Sequence, residues 1–189
     1  GSFVRNEVIN ASLFIFNRDV STSEYFFDLS FMHALVDQNG YNYDAVNSWT
    51  GDTNIFTKKY LHFSVVFNKR HVHFVVHVAE RLILTYDFLD VKPTVIASVI
   101  LRFLCDEFIL SHNKEPPLQP LLLNDFSIND WRFENAFSSN FLEIDPVDSG
   151  VFLLKIVELL RLPTHDFASL SKDNVPEFRA ALTATLLEF

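Results

Sequence analysis

The chain has 189 residues, a length that suits one well-buried domain. Hydrophobic residues make up 49% and charged residues 21%, with 21 Phe and only 4 Gly, and this composition excludes a disordered chain. The formal net charge of −9, without a run of Lys or Arg, argues against nucleic acid or an anionic membrane as a partner. We predict a single domain over residues 3–189, after a Gly1-Ser2 pair that is typical of an expression scar.

The single cysteine, Cys105, excludes an intrachain disulfide and a multi-cysteine zinc site. One unpaired thiol suits a reducing compartment, so we expect a cytoplasmic or nuclear protein. The sequence shows no signal-peptide pattern, and charged residues interrupt the apolar runs well before the ~18 residues that a membrane span needs. We expect neither a cofactor nor a membrane-spanning segment.

The first third of the chain predicts one helix between two irregular segments. Residues 11–16 predict a short strand or an ordered arm. Apolar residues then recur at spacings of three and four over residues 22–38, which predicts a helix with one buried face. Residues 39–57 are rich in Asn, Gly, Asp and Thr and predict a long surface connection.

A meander of three antiparallel strands is predicted next, because apolar and β-branched runs alternate with turn residues. The predicted strands are residues 60–67, 71–78 and 82–87, and they are followed by a helix over 94–111, a loop over 113–120, a mixed segment over 127–140 and a short strand over 141–144. Together these elements predict an α+β fold, with a small antiparallel-rich sheet flanked by helices.

A polar turn at residues 145–149 runs directly into an apolar helix that we predict to end near Leu162, and a last helix is predicted from Val175 to about Glu188. Unpaired N–H groups at a helix start favour developing negative charge. Ser149 is therefore placed like a nucleophile, although serine at such a position is also a common N-cap. A catalytic role requires a base and a group that orients it.

Three histidines, His71, His73 and His77, fall on one predicted strand and, by alternation, on one face. His71 opens the strand and is the better base for Ser149, whereas His73 and His77 are interpreted as packing or supporting residues. In a hairpin, Asp87 returns beside His71 and can accept its second ring N–H. The i, i+2, i+6 spacing of the histidines does not close a compact coordination sphere, so no metal site is predicted.

The order and spacing of three segments carry a resemblance. They are residues 68–78, NKRHVHFVVHV, residues 82–89, LILTYDFL, and residues 147–152, VDSGVF. Together they resemble the signatures of the ubiquitin-like-protein-specific cysteine proteases of clan CE, which include the SUMO and NEDD8 proteases and bacterial deubiquitinases. The resemblance implies a papain-like, clan CE fold, with His71 as base, Asp87 as its orienter and Ser149 where the family has its cysteine, at the start of a buried helix.

The chain departs from the family pattern at three positions. Ser149 replaces cysteine, and a neighbouring imidazole does not convert a hydroxyl to an anion as readily as a thiol of pKa ~8.5. The family's oxyanion glutamine stands six residues before the nucleophile, where this chain has Glu143, and Gln119 is the alternative donor. Val72 stands where the family has a tryptophan over the substrate's Gly-Gly tail, so the resemblance implies that Val72 and Gly150 line the tail channel.

The resemblance implies a protease or isopeptidase that acts after the C-terminal Gly-Gly of ubiquitin or a ubiquitin-like modifier, with the modifier and its conjugates as partners. With Ser149 in place we expect the chain to be inactive. The serine is either an engineered replacement in an active enzyme or natural in a pseudoprotease that serves as a protein-binding or scaffolding module. A clan CE acetyltransferase is a third alternative, and a host cell is the expected location if the protein is a secreted effector.

Overall fold

A five-stranded mixed sheet carries helices on both faces in the computed structural model, which describes residues 3–18, 23–87, 94–110, 126–137, 144–162 and 166–187. The helices are α1 (Asn6–Arg18), α2 (Leu29–Leu35), α3 (Thr94–Leu110), α4 (Ser149–Leu160) and α5 (Val175–Leu187). The strands are β1 (Glu24–Phe27), β2 (Val36–Asp37), β3 (Gly40–Tyr41), β4 (Tyr60–Phe67), β5 (Arg70–His77), β6 (Leu82–Tyr86) and β7 (Arg132–Asn135).

The predicted meander forms the centre of the sheet. The strand order is β1-β4-β5-β6-β7, and β5 pairs antiparallel with both β4 and β6. The two outer strands are parallel to their neighbours, while β2 and β3 form a separate antiparallel pair. Asn68 and Lys69, between β4 and β5, have φ values of 50° and 63°, as a tight two-residue hairpin turn requires.

Alternation along β5 divides the core into two parts. Val72, Phe74 and Val76 face α2 and α3 and belong to a cluster rich in aromatic rings. Val75 faces the other way and packs with α4, whose residues are all buried except Lys155 and Glu158. Helix α1 packs beside α4 on this second face, so the start of α4 lies between β5 and α1.

The helix predicted over residues 22–38 is wrong in its first part and also at its end, where Val36 and Asp37 form β2. Phe26 and Phe27 lie in β1, which pairs in parallel with His62 and Phe63 of β4, and α2 begins only at Leu29. Asp28 is its N-cap, and its carboxylate accepts the backbone N–H of Phe31 at 2.9 Å. Local periodicity did not reveal the strand because its pairing partner lies far along the chain.

Residues 11–16 are neither a strand nor an arm, because they belong to α1. Ile9, Leu13 and Phe16, spaced at four and three, place the apolar face of α1 on its neighbours. The mixed segment contains β7, which was not predicted, and the strand predicted over 141–144 lies almost wholly outside the described residues. The helices predicted to start near residues 94, 150 and 175 are present as α3, α4 and α5, and no described helix is long and apolar enough to cross a bilayer.

Candidate active site

His71 and Ser149 meet where β5 faces the start of α4. The Nδ1 atom of His71 lies 3.0 Å from the Oγ atom of Ser149, and the backbone N–H of His71 donates to the same oxygen at 3.1 Å. The Ser149 hydroxyl donates to the carbonyl of Pro146 at 2.7 Å. Only 4% of Ser149 and 8% of His71 is exposed. The structure therefore brings the predicted base and the predicted nucleophile position together in a shielded site.

A 3₁₀ turn over Pro146–Asp148 leads directly into α4 and positions Ser149. Arg179 of α5 donates to the carboxylate of Asp148 at 2.7 Å and to the carbonyl of Val147 at 3.3 Å. The last helix thus holds the turn against the body of the domain. Ser149 lies at the N-terminal end of α4, where the helix dipole stabilises an anion.

Gly150 allows both the imidazole of His71 and helix α1 to approach the first turn of α4. A Cβ atom on Gly150 would lie 3.0 Å from Cδ1 of Ile9 and 3.3 Å from both Cε1 and Nδ1 of His71. These distances are shorter than ordinary carbon contacts, so a side chain at Gly150 would displace the ring or the helix. In this conformation Ile9 covers Gly150.

The environment of His71 favours a neutral imidazole. Burial lowers the pKa of His71 below its usual value of 6.5. Its second ring nitrogen, Nε2, lies 3.3 Å from Oδ1 of Asn6 in α1. Sequence reasoning missed Asn6, because the segment before residue 22 was not predicted to be helical; the apolar spacing from Ile9 to Phe16 was the available signal.

The hairpin suggested a contact of Asp87 with His71, but in the described hydrogen bonds Nδ1 of His71 faces Ser149 and Nε2 faces Asn6. The pairing of β5 with β6 sets His73 opposite Tyr86, so the face shared by His71 and His73 is the face of Tyr86. Asp87 follows Tyr86 beyond the last residue of β6. Asp87 is buried, and its backbone carbonyl accepts a hydrogen bond from the Asn135 amide at 3.3 Å.

The other predicted site residues are placed as follows. Val72 is only 2% exposed and lies in the core beneath α3, so in this conformation it offers no surface to a substrate tail. Gly150 lies beside the nucleophile position but beneath α1. Glu143 and Gln119, the two candidate oxyanion donors, lie outside the described residues.

A buried polar cluster lies behind His71 on the same face of the sheet. Nε2 of His73 lies 3.1 Å from Nδ1 of His62, and Nδ1 of His73 lies 3.1 Å from Oγ of Ser64. Burial lowers the pKa of His73 to about 3 and also holds the pKa of His62 well below 6.5. Both rings are therefore neutral core groups near neutral pH. Across the described ranges, no group of three or more His, Cys, Asp or Glu side chains could hold a metal ion.

The 3.0 Å separation of His71 Nδ1 and Ser149 Oγ is short enough for a proton to pass between the two side chains. A neutral imidazole within hydrogen-bond distance can accept a proton from a side chain there. A thiol in this place would become a thiolate, stabilised by the imidazolium and by the helix start. The hydroxyl of Ser149 instead donates to the Pro146 carbonyl, and its proton is far harder to remove.

The sequence matches no family model and no curated protein, but its fold matches solved structures. A de-sumoylating protease gives a TM-score of 0.69 at 14% identity, over 97% of this chain and 80% of that chain. The SUMO protease Ulp1 with its catalytic cysteine oxidized to a sulfinic acid gives 0.65 at 11% identity, over 95% and 75%. The C-terminal Ulp1 protease domain in complex with Smt3, the yeast ortholog of SUMO, gives 0.65 at 11% identity, over 95% and 74%. The predicted fold is confirmed: this chain has the α+β fold of Ulp1-type SUMO protease domains.

Proposed function

We propose that this chain is the protease domain of a ubiquitin or ubiquitin-like modifier protease, in which serine occupies the position of the nucleophilic cysteine. The observation that carries the proposal is the 3.0 Å contact between Nδ1 of His71 and Oγ of Ser149, at the start of a buried helix. The fold shared with SUMO proteases supports it. The chain with Ser149 is inactive as a thiol protease because it lacks the sulfur.

With cysteine at position 149, His71 takes the thiol proton, and the thiolate attacks the carbonyl carbon of the modifier's terminal glycine. The C–N bond to the substrate amine breaks, and the imidazolium gives its proton to the leaving nitrogen. Water, deprotonated by His71, then hydrolyses the thioester and releases the modifier. The substrate class is a modifier with a flexible C-terminal tail, because the reacting carbonyl must reach a nucleophile that is 4% exposed.

The test is a Ser149→Cys variant in a Cys105→Ser background, so that position 149 carries the only thiol. The variant is incubated with ubiquitin, SUMO and NEDD8 that carry a C-terminal electrophile. We expect a covalent adduct with at least one of them, at a rate that His71→Gln lowers by about 100-fold or more. No adduct with any of the three, in a variant that unfolds with the same midpoint as the parent, would contradict the proposal.

A second candidate, a natural pseudoprotease that binds a modifier without cleaving it, is favoured by the hydrogen bonds of Ser149. Its hydroxyl donates to the Pro146 carbonyl and accepts the His71 backbone N–H, so the site supplies hydrogen-bond partners for a serine. This candidate predicts that the parent chain binds a modifier in a titration and that Ser149→Cys changes neither the affinity nor the absence of labelling. Adduct formation by Ser149→Cys decides for the first candidate.

A further inference from the structure

Helix α1 reaches the candidate active site through Asn6. This residue stands in the first turn of α1, and its Oδ1 lies 3.3 Å from Nε2 of His71, on the ring edge opposite Ser149. We propose that Asn6 is the positioning residue for His71, in the place where the hairpin had suggested Asp87. The inference rests on the proposed function, because it names the group that prepares the base of that same site.

Two contacts set the place of α1 and therefore of Asn6. Asn10, one turn further along the helix, accepts the backbone N–H of Leu29 at 3.0 Å and donates to Oγ of Ser30 at 2.6 Å, which ties α1 to the start of α2. Ile9 is fully buried and packs over Gly150. Asn6 is thus held by the same helix face that closes over the start of α4.

The hydrogen bond selects a tautomer. An amide oxygen can only accept, so Oδ1 of Asn6 requires the ring proton on Nε2. Nδ1 of His71 then has a free lone pair that faces Oγ of Ser149 at 3.0 Å, and it competes with the Pro146 carbonyl, at 2.7 Å, for the single hydroxyl proton. The ring therefore carries its proton on Nε2 and turns its unprotonated Nδ1 toward position 149. The Cys-His-Asn arrangement of other thiol proteases orients the histidine in the same way.

An uncharged side chain such as Asn6 is sufficient to orient the His71 ring. Burial is the cause of the lowered pKa of His71, and no carboxylate of the described residues raises it. An amide fixes the ring without adding charge, so the imidazole stays neutral and able to accept a proton near neutral pH. The 3.3 Å separation is slightly longer than a typical N–H···O bond, as is common in sites without substrate.

The test uses ¹⁵N-histidine NMR on the chain with Ser149, so that it does not depend on activity. The His71 signals are assigned by their loss in His71→Gln. We expect His71 to carry its proton on Nε2 in the parent and to lose this single tautomer in Asn6→Ala. Asn6→Asp places a carboxylate at Nε2 and is expected to raise the pKa of His71 by about one unit or more. Asn47→Ala, at an exposed asparagine between β3 and β4, is the matched control and is expected to change neither.

The competing variant is Asp87→Asn. If it changes the tautomer or the pKa of His71 while Asn6→Ala and Asn6→Asp change neither, the assignment of Asn6 is overturned. In the Ser149→Cys background, Asn6→Ala is expected to slow adduct formation about 10-fold or more while Asn6→Asp restores part of the rate. If no variant forms an adduct, the proposed function fails, but the NMR result still decides whether Asn6 orients His71.

Discussion

The two faces of β5 are buried to a similar extent but with opposite chemistry. Toward α3 the strand presents Val72, Phe74 and Val76, which pack among aromatic rings. Toward α4 it presents His71 and His73, which hydrogen-bond to other buried polar groups. Burial of the first face stabilises the fold by removing apolar area from water, whereas burial of the second costs desolvation of the rings. The polar face of His71 and His73 therefore contributes less to stability than the apolar face of Val72, Phe74 and Val76.

The largest expected effect comes from a substitution in the apolar face of β5, which Val72, Phe74 and Val76 form. Phe74 is fully buried, so Phe74→Ala removes a whole ring and leaves a cavity. We expect the free energy of unfolding to fall by about 3–5 kcal/mol, measured by urea denaturation. The matched control is Phe14→Ala in α1, at a side chain that is 63% exposed, with a change within about 0.5 kcal/mol. Equal effects at the two positions would contradict the assigned core.

The second prediction concerns the loss of folding stability in acid that the buried histidines of the polar face cause. The pKa of His73 is about 3 in the folded chain and about 6.5 when unfolded, so below pH 6.5 the unfolded state binds the proton first. Stability therefore falls as the pH drops below 6.5, by roughly 3 kcal/mol at pH 4.5 for this ring alone, and the loss levels off only below pH 3. Burial lowers the pKa of His62 as well, which adds a loss in the same direction.

Urea denaturation at pH 7 and pH 4.5 measures this loss. His73→Gln removes one buried titration and should reduce the difference between the two pH values, although it also lowers stability at pH 7. His33→Gln, at an exposed histidine of α2, is the control and should leave the difference unchanged. An unchanged pH dependence in His73→Gln would show that this ring is not buried in its neutral form.

The smallest predicted effect concerns the contact between α1 and α4, the two helices that shield the polar face. Gly150→Ala places a carbon 3.0 Å from Cδ1 of Ile9. We expect a loss of about 1–2 kcal/mol from overpacking, partly offset by the better helix propensity of Ala. Ile9→Val removes that Cδ1 atom, so the double variant should lose less than the sum of the single changes. Additive losses would indicate that Ile9 does not cover Gly150.

The local elements were predictable because their signals were local. The hairpin turn at Asn68 and Lys69, the histidine alternation on β5 and the helix start at Ser149 all appear within a few residues of sequence. The outer strands β1 and β7 were not predicted, because each pairs in parallel with a strand that is remote in sequence.

In the candidate site, too, the parts with a local sequence signal were predicted and the parts that depend on remote packing were not. The approach of His71 to Ser149 was expected from motif order, and the fold brings them within 3.0 Å. For the second ring nitrogen of His71 the sequence suggested Asp87, whereas the described hydrogen bond of Nε2 is with Asn6. Asn6 was missed because it lies 65 residues from His71 and reaches it only through the packing of α1.

We propose that the polar face of β5, which carries His71 and His73, prepares position 149 for a thiolate. The most direct measurement is the pH dependence of thiolate ultraviolet absorbance in Ser149→Cys, made in the Cys105→Ser background. We expect a thiol pKa well below the ordinary ~8.5, which His71→Gln returns to that value or above. A thiol that titrates at about 8.5 or higher, with or without His71, would contradict the account.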